Sequence, residues 1–392
     1  MPLDPQRLPA EIDRLAPTLR EVSTKIHQHP ELRFQEHKAA TWLCEAAEAA
    51  GLSAERNLGG LATAFRVRAG RGEGPRIAIL AEYDALPEIG HACGHNLIAA
   101  GALGAFLALA AQRDALPGTV ELVGTPAEEG GGGKIRLLEA GAFSGVDAAM
   151  MFHPFDRDLL AHFALANTWM EMRFSGKASH AALAPWEGRS ALTACMDTFR
   201  LIDGQRVHFR DGVRVHGYIQ SGGQAVNIIP DTAAAEFSVR ARDVPELMRV
   251  RAIVERCARA AAMASDVTLT LTVREGYKDL VNNLTMARRF GAHLGTLGRS
   301  AAETDDTVGA GSTDMGDISH AVPSIHPWVA ICDRGETTCH QHAFQACAGS
   351  ERGMAGMLAA AKAMALTAAD LLLDPALLAE ARAEFEAARP AA

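Results

Sequence analysis

The 392-residue sequence predicts an α/β protein in which a central, mostly parallel sheet is flanked by helices and interrupted by an inserted α+β module of four strands and two helices. Three observations predict it. Runs such as "RIAILAEYD" stay apolar almost to their ends, as strands covered on both faces do. Helical periodicity separates these runs. From 167 to 276 the texture changes to alternating apolar and polar residues, the mark of half-exposed strands. The length also exceeds what one core usually supports. Residues 1–166 and 277–392 are therefore read as one domain and 167–276 as a second.

Each element has its own justification. Ile12, Leu15, Leu19, Val22 and Ile26 recur at helical spacing. "PELRFQEHKAATWLCEAAEAAG" reads as a second helix stopped by Gly51. "ATAFRVRAG" and "PRIAILAEYDALP" come next as strands, the latter turning polar only at Glu82 and Asp84. A helix over 97–113 succeeds them, with Asn96 as its N-cap. "GTVELVGTPAEEGGGGK" is a strand whose exit carries Glu128 and Glu129, and "VDAAMMFHP" is another that ends on His153. Functional sites gather at the carboxyl ends of strands in open α/β sheets. These exits, with Cys93 and His95 in the intervening loop, therefore form a candidate site rim.

The inserted module is carried by "NTWMEMRFSGKASHA", "VRVHGYIQSGG", "TAAAEFSVRARD" and "DVTLTLTVREGY", with helices over 190–203 and 244–265. "LTMARRFGAHLGTLG" and "GMLAAAKAMALTAADLLL" then return to helix.

Composition narrows the function. A net charge of −9 argues against a nucleic-acid partner, which needs a clustered basic surface. No run reaches the roughly 18 consecutive apolar residues of a membrane span, so no membrane partner is expected. The N-terminal stretch lacks the layout of a secretory signal. The seven cysteines are odd in number and scattered, unlike a disulfide framework. A reducing cytoplasm is the expected setting.

Within "GHACGHN", Cys93 and His95 are residue types that bind zinc and similar divalent ions. Gly94 tolerates the backbone angles that turn both toward one point. The adjacent acids Glu128 and Glu129 suit metal binding together with activation of water. His91 reads as a structural histidine, and Cys44, Cys195, Cys257 and Cys347 as core fillers. "EEGGGGK" is not a phosphate loop, because Glu128 stands where that pattern needs glycine and Ile135 where it needs Ser or Thr. A metal-free hydrolase with Cys93 as nucleophile and His95 or His340 as base remains the alternative. It leaves Glu128 and Glu129 unexplained.

"AEYDALPEIGHACGHN", "GTPAEEGGGGKIRLLEAGAF", "MMFHP", "GKASHAALAPWEGRSAL", "GGQAVNIIPD" and "CHQHAF" with "AAKAMALTAADLL" after it occur in this order. Together they resemble metallopeptidase family M20 in its amidohydrolase branch, which holds aminoacylases, hippurate hydrolases, auxin-conjugate hydrolases and p-aminobenzoyl-glutamate hydrolase. "STDMGDISHAVPSIHP" is most similar in texture to the p-aminobenzoyl-glutamate hydrolase and β-alanyl-dipeptidase group. The resemblance spans nearly the whole chain.

That resemblance implies a metal-dependent exopeptidase-type catalytic domain, with 167–276 as a lid and dimerisation domain. It implies hydrolysis of the amide bond of an N-acyl amino acid or dipeptide-like small molecule. Two divalent ions per subunit are implied, Zn2+ or Mn2+, with Co2+ or Ni2+ also used in the family. Cys93, His95, Glu129, His153 and His340 would be the ligands, His342 being the local alternative to His340. Glu128 matches the general base and acid, and Asp84 a supporting acid behind the ligands. His180 matches a histidine that stabilises the oxyanion in the partner subunit's site, which implies a homodimer. Asn227 and Arg240 would bind substrate. One departure stands out: Asn96 occupies a position where many relatives carry Asp.

Overall fold

The computed structural model describes residues 2–388. The chain divides into two compact units, one holding everything up to Phe163 and from Leu280 onward, the other Ala164–Asp279. The inserted unit thus begins at Ala164 and ends at Asp279, where the change of sequence texture suggests 167 and 276.

The first unit is built on a six-stranded sheet. Its spatial order is Ala54–Arg56, Phe65–Gly70, Thr119–Gly124, Arg76–Ala81, Ala148–Met150, Ser324–Ile325. The last four strands run parallel, and the first two are antiparallel additions at one edge. Ala81 pairs with Gly124 and Ile79 with Met150, so three parallel strands end along one edge. Just beyond their ends the chain carries Glu82 with Asp84, Glu128 with Glu129, and His153. The apolar run "RIAILA" is buried at five of its six positions, as its lack of alternation demands.

Beside this sheet lies the helix His95–Ala110, buried at every position. Its Ala- and Gly-rich sequence is what allows that. A Cβ on Gly104 would stand 2.6 Å from Cδ1 of Leu19 and 3.5 Å from Cβ of Ala361, so the helices Leu8–Gln28 and Glu351–Leu373 both pack directly on its backbone. Glu351–Leu373 is long and apolar enough to cross a membrane by length and composition, and its apolar side lies in the core.

Two local expectations fail. The buried helix begins at His95 with Gly94 as its N-cap. Asn96 is not a cap but a first-turn residue whose Nδ2 donates to Ser23 Oγ (2.9 Å) and to Ala348 O (3.0 Å). The second helix starts only at His37. Residues 30–36 are irregular because their polar groups are claimed elsewhere. Ala85 N donates to Glu31 O (2.8 Å), while the Glu31 carboxylate accepts the N–H groups of Lys38 and Ala39 (2.8 and 3.0 Å) and so caps the helix.

The second unit is an antiparallel sheet in the order Thr268–Glu275, Ala166–Ser175, Thr232–Ala241, Arg214–Ser221. The helices Ala191–Gln205 and Val244–Ala264 pack on it around Phe174, Phe237, Val239 and Val254. Ser190 and Asp243 cap them by accepting the N–H groups of Thr193 and Glu246.

Candidate metal centre

Five segments of the first unit deliver side chains to one place. Gly94 sits at φ 77°, and a Cβ there would be 2.9 Å from Cγ of Pro154. Only glycine fits both demands. The resulting turn brings Cys93 and His95 together with His153: one ligand atom from each lies within 4.8 Å of the others. Cys93, Glu129 and His340 form a second such group, and His95, Glu128 and Glu129 a third. The groups share members, so Cys93, His95, Glu129, His153, His340 and Glu128 make one cluster. His340 reaches it through a left-handed backbone (φ 68°), its N–H held by Ala92 O at 2.9 Å. His342 is exposed, opens the helix His342–Ala348 and belongs to none of these groups.

Hydrogen bonds assign the imidazole tautomers. His95 Nδ1 lies 2.9 Å from Asp84 O and 3.1 Å from Asp84 Oδ1, so it donates there. His153 Nδ1 likewise donates to Pro154 O at 2.8 Å. Each ring therefore turns Nε2 inward, the nitrogen left to face a metal once Nδ1 is held by its partner. His95 Nε2 lies 3.5 Å from Glu82 Oε2, 3.8 Å from Glu128 Oε2 and 4.0 Å from Glu129 Oε1. His95 Nε2, Glu82 Oε2 and Glu129 Oε1 are all buried without a hydrogen-bond partner. Buried polar atoms of native proteins are rarely left so. A thiol, imidazoles and carboxylates converging on one place, with His95 Nε2 and Glu129 Oε1 unclaimed, fit divalent cations.

Electrostatics set these groups apart: against the opposing effect of burial, the nearby acids, Asp84 first, hold the His95 imidazole well above its ordinary value. Burial, then the charges of Glu82 and Glu129, push the Glu128 carboxyl well above the usual carboxylate range. Burial drives His153 down to about 4, so its ring is neutral at physiological pH. The Cys93 thiol is raised by its hydrogen bond with Cys339, by burial and by the nearby acids. Asp84, fully buried, also accepts the Glu129 N–H through Oδ2 (2.9 Å).

Behind Glu128 lies a group that sequence reasoning missed. Lys134 is fully buried, its Nζ bonded to Glu82 Oε1 and to Asp314 Oδ1 (2.6 Å), while its N–H donates to Asp314 Oδ2 (3.0 Å). Glu82, Glu128 and Asp314 themselves form a close acidic group. Glu82 could have been found as a second acid at the same strand exit. Asp314, in "STDMGD", carries no local signal that would send it there.

His180, Asn227 and Arg240 belong to the second unit. His180 and Asn227 are exposed and adjacent: His180 bridges to Ile228, and Ala181 N donates to Asn227 O at 2.9 Å. His180 Nδ1 accepts the N–H groups of Ala182 and Leu183 (3.2 and 3.1 Å), which leaves Nε2 carrying the proton. Arg240 lies half-buried on the strand Thr232–Ala241.

Comparisons with known proteins point the same way. The model of "Peptidase family M20/M25/M40" matches residues 78–370. Xaa-Arg dipeptidase of Mus musculus is 37% identical over 97% of this chain and 92% of its own. One of the subunits of p-aminobenzoyl-glutamate hydrolase of Escherichia coli (strain K12) is 30% identical over 93% of this chain and 91% of its own. Among solved structures, a Bacillus subtilis protein described as a dinuclear metal binding peptidase from the M20 family superposes with a TM-score of 0.71. It is 23% identical and covers 92% of this chain and 99% of its own.

Proposed function

Because the chain belongs to peptidase family M20/M25/M40 and is a hydrolase of amide C–N bonds, we propose that it is a metal-dependent amidohydrolase of dipeptides or N-acyl amino acids. The observation that carries this reading is the convergence of Cys93, His95, Glu129, His153 and His340, with His95 Nε2 and Glu129 Oε1 buried and unpartnered. Those residues would hold two divalent cations, Zn2+ or Mn2+. Such ions supply Lewis acidity and make a water acidic near neutral pH.

The chain's own residues supply the rest. Glu128 takes the proton of the attacking water and delivers it to the leaving amide nitrogen. Its raised affinity for a proton suits the second half of that task. Asp84 fixes the tautomer of His95 and the backbone of Glu129 together. His180, with its proton on Nε2, has the form of a neutral donor suited to a developing oxyanion. Asn227 and Arg240 are proposed to contact substrate. The substrate class is supported by the names of the relatives, one a dipeptidase and one a hydrolase of an N-acyl amino acid.

The second unit is proposed to serve as lid and dimerisation domain. Its outer strand Arg214–Ser221 pairs on one side only and exposes Tyr218 and Ile219, which supports pairing with a second copy. A cytoplasmic setting is proposed as well, from the odd number and scattered placing of the cysteines in the sequence.

The metal-free cysteine reading fits the site poorly. It leaves unexplained why Glu128, Glu129 and His153 gather around Cys93 and His95. Elemental analysis of purified protein, with activity on Xaa-Arg dipeptides and aminobenzoyl-glutamate before and after chelation, tests the proposal. Full turnover in metal-stripped protein would overturn it.

A further inference from the structure

Glu36 is fully buried, ionisable, and unused by the chemistry set out so far. Both of its carboxylate oxygens are engaged. Oε1 accepts two backbone N–H groups, from Phe34 at 2.8 Å and from Ala127 at 2.9 Å. Oε2 accepts the Thr63 hydroxyl at 2.9 Å. Thr63 O in turn accepts the hydroxyl of Tyr83 at 2.6 Å, and Tyr83 is the buried residue between Glu82 and Asp84 on the strand exit.

The bond to Ala127 is the informative one. Ala127 directly precedes Glu128, is buried, and has φ 61°. That is the left-handed region, which residues other than glycine seldom occupy without support. Phe34, whose N–H goes to the same oxygen, also has φ 61°. One carboxylate oxygen therefore pins two left-handed residues that lie far apart in sequence. The turn after Ala127 is tight: Gly131 N donates to Ala127 O (2.9 Å) and Gly130 N to Glu128 O (2.7 Å). Phe34 closes against it, since a Cβ on Gly131 would meet Phe34 Cε2 at 2.5 Å. Without Glu36, the buried Ala127 N–H would lose its acceptor, and the backbone would gain by turning away from its strained angle to find another. The direction of the Glu128 side chain depends on that angle.

We propose that Glu36 is a positioning residue for Glu128: by accepting the Ala127 N–H it holds the left-handed turn that aims the Glu128 carboxylate. With Asp84 accepting the Glu129 N–H, two acids from separate segments brace the backbone on either side of Glu128. This inference rests on Glu128 being the general base and acid, and the experiment separates the two ideas.

Glu36→Ala should lower kcat by about 10- to 100-fold, the scale expected when a reacting group is misplaced by about an ångström. KM and bound metal should stay within about twofold. Glu36→Gln keeps an acceptor at Oε1 and a donor toward Thr63, and should return kcat to within a few-fold of the unaltered enzyme. Ala127→Gly removes the steric objection to positive φ. Combined with Glu36→Ala, it should recover most of the lost kcat. In a Glu128→Gln background, Glu36→Ala should cost no further turnover, because the group it positions no longer acts. Should Glu36→Ala fail to fold, Glu36→Asp withdraws the oxygen by one methylene and should show a smaller kcat loss of the same kind.

Unchanged kcat in a folded Glu36→Ala or Glu36→Asp protein would overturn the proposal. So would a Gln variant as impaired as the Ala variant, or a further loss in the Glu128→Gln background. Normal turnover of Glu128→Gln itself would instead remove the base assignment, whatever Glu36 does.

Discussion

Nδ1 of His95 lies 3.1 Å from Oδ1 of Asp84, and both groups are fully buried. Asp84 also accepts the backbone N–H of Glu129, so one carboxylate orients two proposed ligands from different segments. Partners behind metal ligands typically contribute about 10- to 100-fold in metal affinity. Asp84→Asn should therefore weaken metal binding by about that factor, read by competition with a chromogenic chelator. Unaltered affinity would reduce Asp84 to a packing role.

Glu128→Gln keeps the shape of the side chain and removes its basicity. Turnover should fall by about 10²- to 10⁴-fold, the usual worth of general acid–base help. Metal content measured by elemental analysis should hold, since Glu129 and not Glu128 is the proposed ligand. A fast Gln variant would refute the assignment.

His180 is predicted to matter for rate but not for metal. His180→Ala should lower kcat by about 10²- to 10³-fold, as loss of an oxyanion donor does, with the metal stoichiometry intact. Steady-state kinetics set beside elemental analysis decides it, and a loss below about threefold would retire the role.

Lys134 stands between Glu82 and Asp314 with no exposed surface. Lys134→Met fills much the same volume but leaves two buried carboxylates without their cation. Removing one partner of a buried ion pair usually destabilises by about 3–5 kcal/mol. Urea denaturation should report a shift of that order. A stability within about 1 kcal/mol of the unaltered protein, close to the extrapolation error of such curves, would mean that water or a proton replaces the ammonium readily.

Burial, and then the charge of Asp84, raise Glu36 from its ordinary 4.5 to about 7. Tyr83, the other titratable group facing it, is itself pushed well above its usual value, and stays neutral throughout this range. The folded state therefore binds the Glu36 proton more tightly than the unfolded chain does. The stability linked to that proton is present in full below about pH 4.5 and is lost as pH rises through about 7. Glu36→Gln does not titrate, so its stability relative to the unaltered protein should improve between those limits, by about 3 kcal/mol at most. Melting curves at a series of pH values test this, and a difference that ignores pH would contradict the shift.

The parallel strands are legible in the sequence because their two-sided burial leaves no alternation, and their exits are legible because polarity returns there abruptly. Cys93 and His95 announce themselves by spacing around a glycine. The illegible parts are held by long-range bonds with no local period. Residues 30–36 look helical, yet Glu31 and Glu36 commit their carboxylates to backbone groups of other segments. Lys134 has a local meaning only within a phosphate-loop pattern that fails, because its partners Glu82 and Asp314 lie 52 and 180 positions away. Asn96 looks like a cap from its place beside His95, yet its amide knits helices together on the far side of that turn.

A helix with no solvent-facing side has nowhere for harmless change to accumulate. All sixteen positions of His95–Ala110 are enclosed, and its opening turn presents His95 to the ions proposed above. Anyone hoping to retune this enzyme for another cation will find that rod a poor handle, because its neighbours leave it no slack. Productive variation will have to come from the loops that face it, Glu129 and His340 among them, and from whatever encloses the substrate.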